Sequence, residues 1–250
     1  MLILLPPSET KRSGGDGAPL DLDRLALPGL AAQREAALSA LEELSAHPDA
    51  AARVLKLSAR QLDQVEVNAR VRTAPTLPAV DRYTGVLYDA LGAASLDATA
   101  RRWLGRNVLI HSAPLGPVGA LDGIPAYRLA ANASVPGLGS LRRVWADAVT
   151  AALAEQSPSF VLDLRSEAYV ALGPVPAEVS SVFLRVVTED ESGATRALNH
   201  FNKHAKGVLL RALAQSRPRI GSPAALRRWA TGAGLVLRQG TPGECNLVVE

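Results

Sequence analysis

The chain has 250 residues, of which 48% are hydrophobic and 20% charged, and its formal net charge is +3. That length is sufficient for a large core, and no apolar run approaches the roughly 18 residues that a membrane-spanning helix needs. The opening MLILL is too short for a signal sequence, and the single Cys245 fits a reducing compartment. These features exclude a membrane partner and a disulfide scaffold, and we expect a soluble cytoplasmic protein.

The basic residues are unevenly chosen. Only four of the 27 are lysine, at positions 11, 56, 203 and 206. A lysine amine is a compact point charge, whereas the arginine guanidinium is a planar fork. In a chain with so few lysines, a lysine can therefore mark a site that needs a compact charge. The net charge alone is too mild to call for a nucleic-acid partner.

The N-terminal half begins with one apolar strand, which is followed by several helical patterns. After the opening strand, the glycines and proline of residues 13–19 predict a flexible loop. Helices are then predicted at residues 30–45, 49–57, 58–71, 81–91 and 96–104, with Ser58 as an N-cap. A strand at 107–112 ends this half.

The C-terminal half begins with a segment rich in glycine and proline, residues 113–139, which is long for a structureless loop and is typical of a functional or partly ordered one. A helix is predicted at 141–154, strands at 160–166 and 179–189, and a hairpin into 194–198. Helices at 199–215 and 223–231 and strands at 235–238 and 246–249 complete the chain. Strands and helices do not alternate regularly, which favours an α+β fold with a mixed sheet, and 1–250 as a compact single domain.

The segment PPSETK follows the opening strand directly. Two prolines stiffen it, Ser8 and Thr10 offer hydroxyls, and the amine of Lys11 has the reach to bind a phosphate or carboxylate. It matches neither a Walker A loop nor a dinucleotide fingerprint, so a plain polar turn explains it equally well.

The segment HFNKHAKG, residues 200–207, allows two interpretations. His200 and His204 have the i, i+4 spacing of metal-binding helices, but no third ligand is evident and Lys203 adjoins them, so we predict neither a metal nor a cofactor. Lys203, Lys206 and Arg211 form a candidate anion-binding face, against which an ordinary solvated helix is the alternative.

Several hydroxyls and carboxylates follow strands and could converge on one polar cleft. The catalytic candidates are Ser8, Ser112, Asp122, Ser166 and Glu167. A serine-hydrolase interpretation fails because there is no GxSxG elbow, and each residue taken singly is more simply explained as a cap or turn residue. The stretch LSARQLDQVEVNA suits either a helical hairpin that presents amides and arginines to phosphates or an amphipathic core helix, and the low aromatic content disfavours a base-stacking platform.

Taken in order, the motifs resemble those of the YaaA family of bacterial peroxide stress proteins over the whole chain. The segments that carry the resemblance are MLILLPPSETK, KLSARQLDQVEVNA, YTGVLYDAL, HSAPLGPVGALDGIPAYRL, VWAD, LRSEAY and KHAKG. The resemblance implies a compact α+β domain with a positively charged cleft and a helix-hairpin-helix-like element. It also implies a role in hydrogen peroxide resistance, lowering of free intracellular iron, and binding of DNA in several forms.

Two main hypotheses follow. In the first, DNA, duplex or single-stranded and without sequence preference, is bound through backbone contacts from Lys11, Arg128, Lys203, Lys206 and Arg211. In the second, the serines and carboxylates form an enzyme site for a nucleotide or nucleobase, because paired carboxylates beside hydroxyls suit proton transfer. Direct iron binding has only the two histidines in its favour.

Overall fold

The computed structural model describes residues 1–189, 195–197 and 201–249. Twelve strands are present in these ranges: β1 Leu2–Leu5, β2 Leu77–Pro78, β3 Val108–Ser112, β4 Gly116–Gly119, β5 Gly123–Ile124, β6 Ser134–Val135, β7 Gly139–Ser140, β8 Val161–Asp163, β9 Ser181–Glu189, β10 Thr195–Ala197, β11 Val236–Gln239 and β12 Glu244–Val248. The helices are α1 Ala31–Ser45, α2 Pro48–Val54, α3 Asp63–Ala69, α4 Ala79–Arg82, α5 Val86–Leu91, α6 Ala98–Asn107, α7 Leu141–Glu155, α8 Glu167–Val170, α9 Phe201–Ser216 and α10 Pro223–Gly232.

Eight strands form one mixed sheet in the order β11-β12-β9-β8-β1-β3-β4, and β10 pairs with β9. The five strands β12, β9, β8, β1 and β3 run parallel, whereas β4 and β11 are antiparallel edge strands. β3 and β8 are buried along their whole length, as expected for apolar strands covered on both faces. The mixed sheet confirms the predicted α+β class.

Most of these helices fall into two packed groups. One contains α1, α2, α3 and α7, while the other contains α5, α6 and α9, of which α9 also packs on β9. No helix in the described ranges has both the length and the apolar character needed to cross a membrane.

Most predicted elements are observed with small shifts at their ends, whereas the predicted helices 58–71 and 81–91 are each divided. The predicted helix 81–91 is two helices, α4 and α5, because Gly85 adopts φ +96° before α5 begins. The predicted strand of the hairpin after β9 is observed as β10, antiparallel to β9, whereas its turn at 190–194 lies outside the described residues. The long glycine-rich segment is ordered by short strands, of which β4 forms a hairpin with β3.

The segment LSARQLDQVEVNA, predicted as part of a helical hairpin or as a core helix, comprises a 3-10 turn at Ala59–Gln61 and α3, and α2 precedes it. Ser58 lies at the start of that turn, where the Gln61 side-chain oxygen accepts hydrogen bonds from its backbone N–H (3.2 Å) and its hydroxyl (3.0 Å). The helix-hairpin-helix character of this segment and the single-domain assignment stay predictions.

Close packing of α9 on α5 depends on Gly207. A Cβ atom at this position would overlap the Leu87 carbonyl oxygen and lie 2.8 Å from the Ala90 Cβ. Because the overlapping atom belongs to the backbone, the two helices would have to move apart to accept a larger residue.

We therefore expect Gly207→Ala to lower the free energy of unfolding by about 1–3 kcal/mol, measured by urea denaturation. Gly232→Ala is the matched control, since nothing lies within 4 Å of its added Cβ. Equal stability of the two variants would show that the helices do not need this close approach.

Candidate functional site

A cleft of about 810 Å³ opens where adjacent parallel strands end. The ends of β1 and β8 meet there because the two strands pair in parallel, with Leu4 opposite Asp163. Its lining comes from residues 6–10, 85–88, 164–169 and 183–186, together with Asn202, Lys203 and Lys206 of α9. Crevices at the carboxyl ends of parallel strands are common ligand sites.

The segment after β1 supplies the first wall. The hydroxyls of Ser8 and Thr10 lie 3.2 Å apart, and the Thr10 hydroxyl donates to the Thr84 carbonyl (3.2 Å). A Cβ on Gly85 would lie 3.3 Å from both hydroxyl oxygens. Glycine at this position therefore leaves space beside the two hydroxyls.

Lys11 lies behind this wall and is absent from the cleft lining. Its amine donates to the carbonyl oxygens of Ser8 (3.0 Å) and Glu9 (3.4 Å) and lies 4.1 Å from the Tyr127 ring centroid. Burial lowers the pKa of Lys11 to about 7; the Glu9 carboxylate opposes this shift, and the Arg128 guanidinium adds to it. The amine therefore anchors the segment after β1 from within the protein.

Arg128 also adjoins the cleft without lining it. Its side chain pairs with Glu9 at 2.6 Å, and its backbone is held by Asn68 of α3, which accepts from the Arg128 N–H (2.7 Å) and donates to its carbonyl (2.9 Å). Arg128 thus fixes the orientation of a carboxylate on the wall.

A buried ion pair lies at the end of β8. Arg165 donates from Nε and Nη2 to both oxygens of Asp163 (2.9 and 2.7 Å) and from Nη1 to the Gly173 carbonyl (2.9 Å). The same Nη1 lies 3.1 Å from Nδ1 of His111, whose pKa is held well below its usual value by burial and by the guanidinium. Neutral His111 then accepts at Nδ1, and the turn that presents Ser166 is tied to β3.

Ser166 and Glu167 are exposed on the second wall, at the start of α8. The Glu167 carboxylate lies 3.4 Å from Arg185, which makes a shorter pair with Glu244 at 2.7 Å. Because Ser166 makes no side-chain cap bond, its hydroxyl remains a hydrogen-bonding group of the cleft.

Lys206 lies on the floor of the cleft and is only 5% exposed. Its amine donates to the Leu164 carbonyl (3.0 Å) and lies 5.5 Å from the centroid of the Phe183 ring. Burial lowers the pKa of Lys206 to about 8, opposed by Asp163 and assisted by Arg185. Lys203, one turn earlier on α9, is exposed at the same cleft.

Three predicted site residues lie elsewhere. Ser112 is fully buried, and its hydroxyl accepts from the Leu115 N–H (3.3 Å). Asp122 accepts from the Ala26 and Gly119 N–H groups (2.8 and 2.7 Å), and Arg211 donates to carbonyls that end α5. Turn and cap roles account for these contacts.

The histidine pair is only partly described. His204 is exposed on α9, whereas His200 lies outside the described residues. Within the ranges that the structure describes, no group of three or more His, Cys, Asp or Glu side chains is placed to hold a metal ion.

Asp163, Arg165, His111 and Arg185 were missed by sequence reasoning. The signal available was two charges in an otherwise apolar strand, VLDLR, since buried charges are rare unless they are paired. His111, which contacts Arg165, is far away in sequence and gives no local signal.

With only four lysines, the amine protonation states are directly measurable by NMR of lysine labelled at Cε. We expect the signal absent from Lys206→Met to titrate near pH 8 and the one absent from Lys11→Met near pH 7. Titration of both near the ordinary value of 10.5 would contradict the burial of these amines.

The lowered pKa of Lys206 also predicts how the free energy of unfolding depends on pH. Between about pH 8 and 10.5 the unfolded chain binds more protons at Lys206 than the folded chain, so the free energy of unfolding rises with pH. Over that range the contribution of Lys206 is on the order of 3 kcal/mol. Lys206→Met should lose this part of the slope and keep the part due to Lys11, whereas exposed Lys56→Met should keep both. Equal slopes would be the contrary result.

Comparison with known proteins gives matches along the whole chain. The family model described as "Peroxide stress protein YaaA" matches residues 1–239. A UPF0246 protein of Corynebacterium efficiens is 42% identical over 255 residues, covering all of both chains. A UPF0246 protein of Streptomyces coelicolor is 43% identical over 230 residues, covering 90% of this chain and 87% of its own.

The matched family is the one that the sequence motifs resemble. Since the family model spans nearly the full length and the relatives share about 40% identity from end to end, the chain belongs to the YaaA family of peroxide stress proteins, the UPF0246 family.

Proposed function

We propose that this protein acts in peroxide defence in the cytoplasm by binding DNA at the cleft between β1, β8 and α9. The observation that carries the proposal is the placement of two lysines on one side of α9, Lys203 at the cleft surface and Lys206 at its floor. Amines at such positions suit phosphate groups, which supply most of the sequence-independent affinity for DNA.

Charges around the cleft support this assignment. Glu9 and Glu167 line it, but Arg128 and Arg185 pair with these carboxylates. Neither α9 lysine has an ion-pair partner among the described residues. The effect on free iron that the family resemblance implies is not part of this proposal, which rests on the α9 lysines and therefore concerns DNA.

The test is charge reversal at the exposed lysine. Lys203→Glu should weaken binding of a short DNA duplex by about tenfold or more at low salt and reduce the salt slope by about one, as measured by fluorescence anisotropy. Lys206 is unsuitable for reversal, because a buried glutamate there would destabilise the fold.

Two variants with the same change of charge serve as controls. Arg228→Glu alters an exposed residue of α10 outside the cleft and should bind normally. Lys56→Glu adjoins the predicted helical hairpin, so loss of binding there, with Lys203→Glu unaffected, would move the DNA site from the cleft to the hairpin.

A nucleotide-directed enzyme is the second candidate. Its support is the shape of the cleft, a concave space with the hydroxyls of Ser8 and Ser166, the Glu167 carboxylate and the Lys206 amine on its lining. Duplex phosphates require basic surface, whereas an enclosed space with convergent hydroxyls suits a small phosphorylated ligand.

Nucleotide binding is tested by thermal unfolding with nucleoside phosphates. At a hundredfold excess over Kd, a ligand of the folded state adds about 2.7 kcal/mol, which raises the Tm by several degrees. Inorganic phosphate is the control for a purely ionic effect. No shift with any nucleotide would count against this candidate.

A further inference from the structure

The hydrogen bonding of Lys206 leaves its amine chemically available. The amine acts only as a donor, toward the Leu164 carbonyl at 3.0 Å, and it forms no ion pair with a carboxylate in the part of the chain that the structure describes. A carbonyl oxygen cannot donate, so a neutral amine in this position keeps its lone pair unused.

The surroundings favour the neutral form. The side chain is 5% exposed, and the Phe183 ring lies 5.5 Å from the nitrogen. With a pKa of about 8, roughly a tenth of the Lys206 amines are unprotonated at pH 7, against less than a thousandth for an ordinary lysine. A buried, partly neutral amine is the state that Schiff-base lysines use.

The rest of the lining indicates the class of ligand. The exposed Lys203 amine and the hydroxyls of Ser8 and Ser166 are groups of the kind that bind phosphate, and the cleft volume of about 810 Å³ is large enough for a sugar phosphate. A phosphate held at the surface of the cleft would direct the attached sugar toward its floor.

We propose that Lys206 is a nucleophile that forms an imine with the aldehyde of a phosphorylated sugar bound in the cleft. The choice of a phosphorylated ligand rests on the proposed function, whereas the choice of nucleophile rests on the geometry of Lys206.

The step is balanced without an oxidant or reductant. The nitrogen lone pair forms a bond to the aldehyde carbon, and the carbonyl oxygen takes up a proton to give a carbinolamine. Both amine hydrogens finally leave with that oxygen as water, and a carbon–nitrogen double bond replaces the carbon–oxygen one. The ligand aldehyde exists either in a free sugar phosphate or at an abasic site in DNA.

The experiment traps the imine by reduction. The full chain is incubated near pH 7.5 with sodium cyanoborohydride and 2-deoxyribose 5-phosphate in one arm, or a duplex with a single abasic site in the other. Peptide mass mapping then locates the secondary amine, and only four lysines need to be compared.

We expect labelling at Lys206 to exceed that at the exposed lysines 56 and 203 by about tenfold or more, because a partly neutral amine lies on the floor of the ligand cleft. Lys11 does not line the cleft, so a ligand bound there should leave it unlabelled. Lys206→Arg should lose this adduct, and Lys56→Arg should keep it. A variant that fails to fold does not affect the test, because the wild-type map locates the adduct.

The two arms separate this inference from DNA binding. Labelling of Lys206 by the free sugar phosphate would support its role as a nucleophile. If Lys203→Glu also left duplex binding unchanged, the proposal of DNA binding at the cleft would be overturned. Labelling by abasic duplex alone would support both. Equal labelling of the lysines in both arms, or an adduct that persists in Lys206→Arg, would overturn the inference.

Discussion

The buried pair of Asp163 and Arg165 is the interaction on which the cleft depends. Both side chains are almost fully buried, and the guanidinium has partners at Nε, Nη1 and Nη2. Breaking such a pair leaves a buried charge without compensation, at a cost of about 3–5 kcal/mol. Because the same guanidinium contacts His111 of β3 and the Gly173 carbonyl, the end of β8 is fixed relative to its neighbours, and Ser166 begins the next turn from a defined position.

That fixed strand end also determines the environment of Lys206. Leu164, the residue between the two paired charges, offers the carbonyl that accepts from the Lys206 amine. From the other side, Gly207 lets α9 approach α5 closely enough to keep that amine on the cleft floor. One ion pair and one glycine therefore place a lysine where its charge is costly, and burial of this kind is how proteins lower an amine pKa.

The sequence predicts the elements well and the site only in part. Hydrophobic periodicity locates the helices and strands because it reflects burial along one element at a time. The break at Gly85 depends on a backbone angle, φ +96°, that a helical pattern does not encode. Lys11 and Lys206 look equivalent in sequence, yet only Lys206 lines the cleft, since their burial is set by residues far away along the chain. The contact of Arg165 with His111 cannot be predicted for the same reason, because the two residues are far apart along the chain.

The scarcity of lysine acquires a physical meaning in this structure. Arg34 and Arg82 are fully buried and donate to backbone carbonyls of segments distant in sequence, a role that suits a planar fork with several donors. Burial lowers the pKa of Arg34 only to about 10, so this side chain keeps its charge at neutral pH. Burial of a lysine amine instead brings its pKa close to neutrality, to about 7 at Lys11 and about 8 at Lys206. Permanent cations therefore hold distant segments in place, whereas the two lysines with lowered pKa values lie on the cleft floor and directly behind its wall.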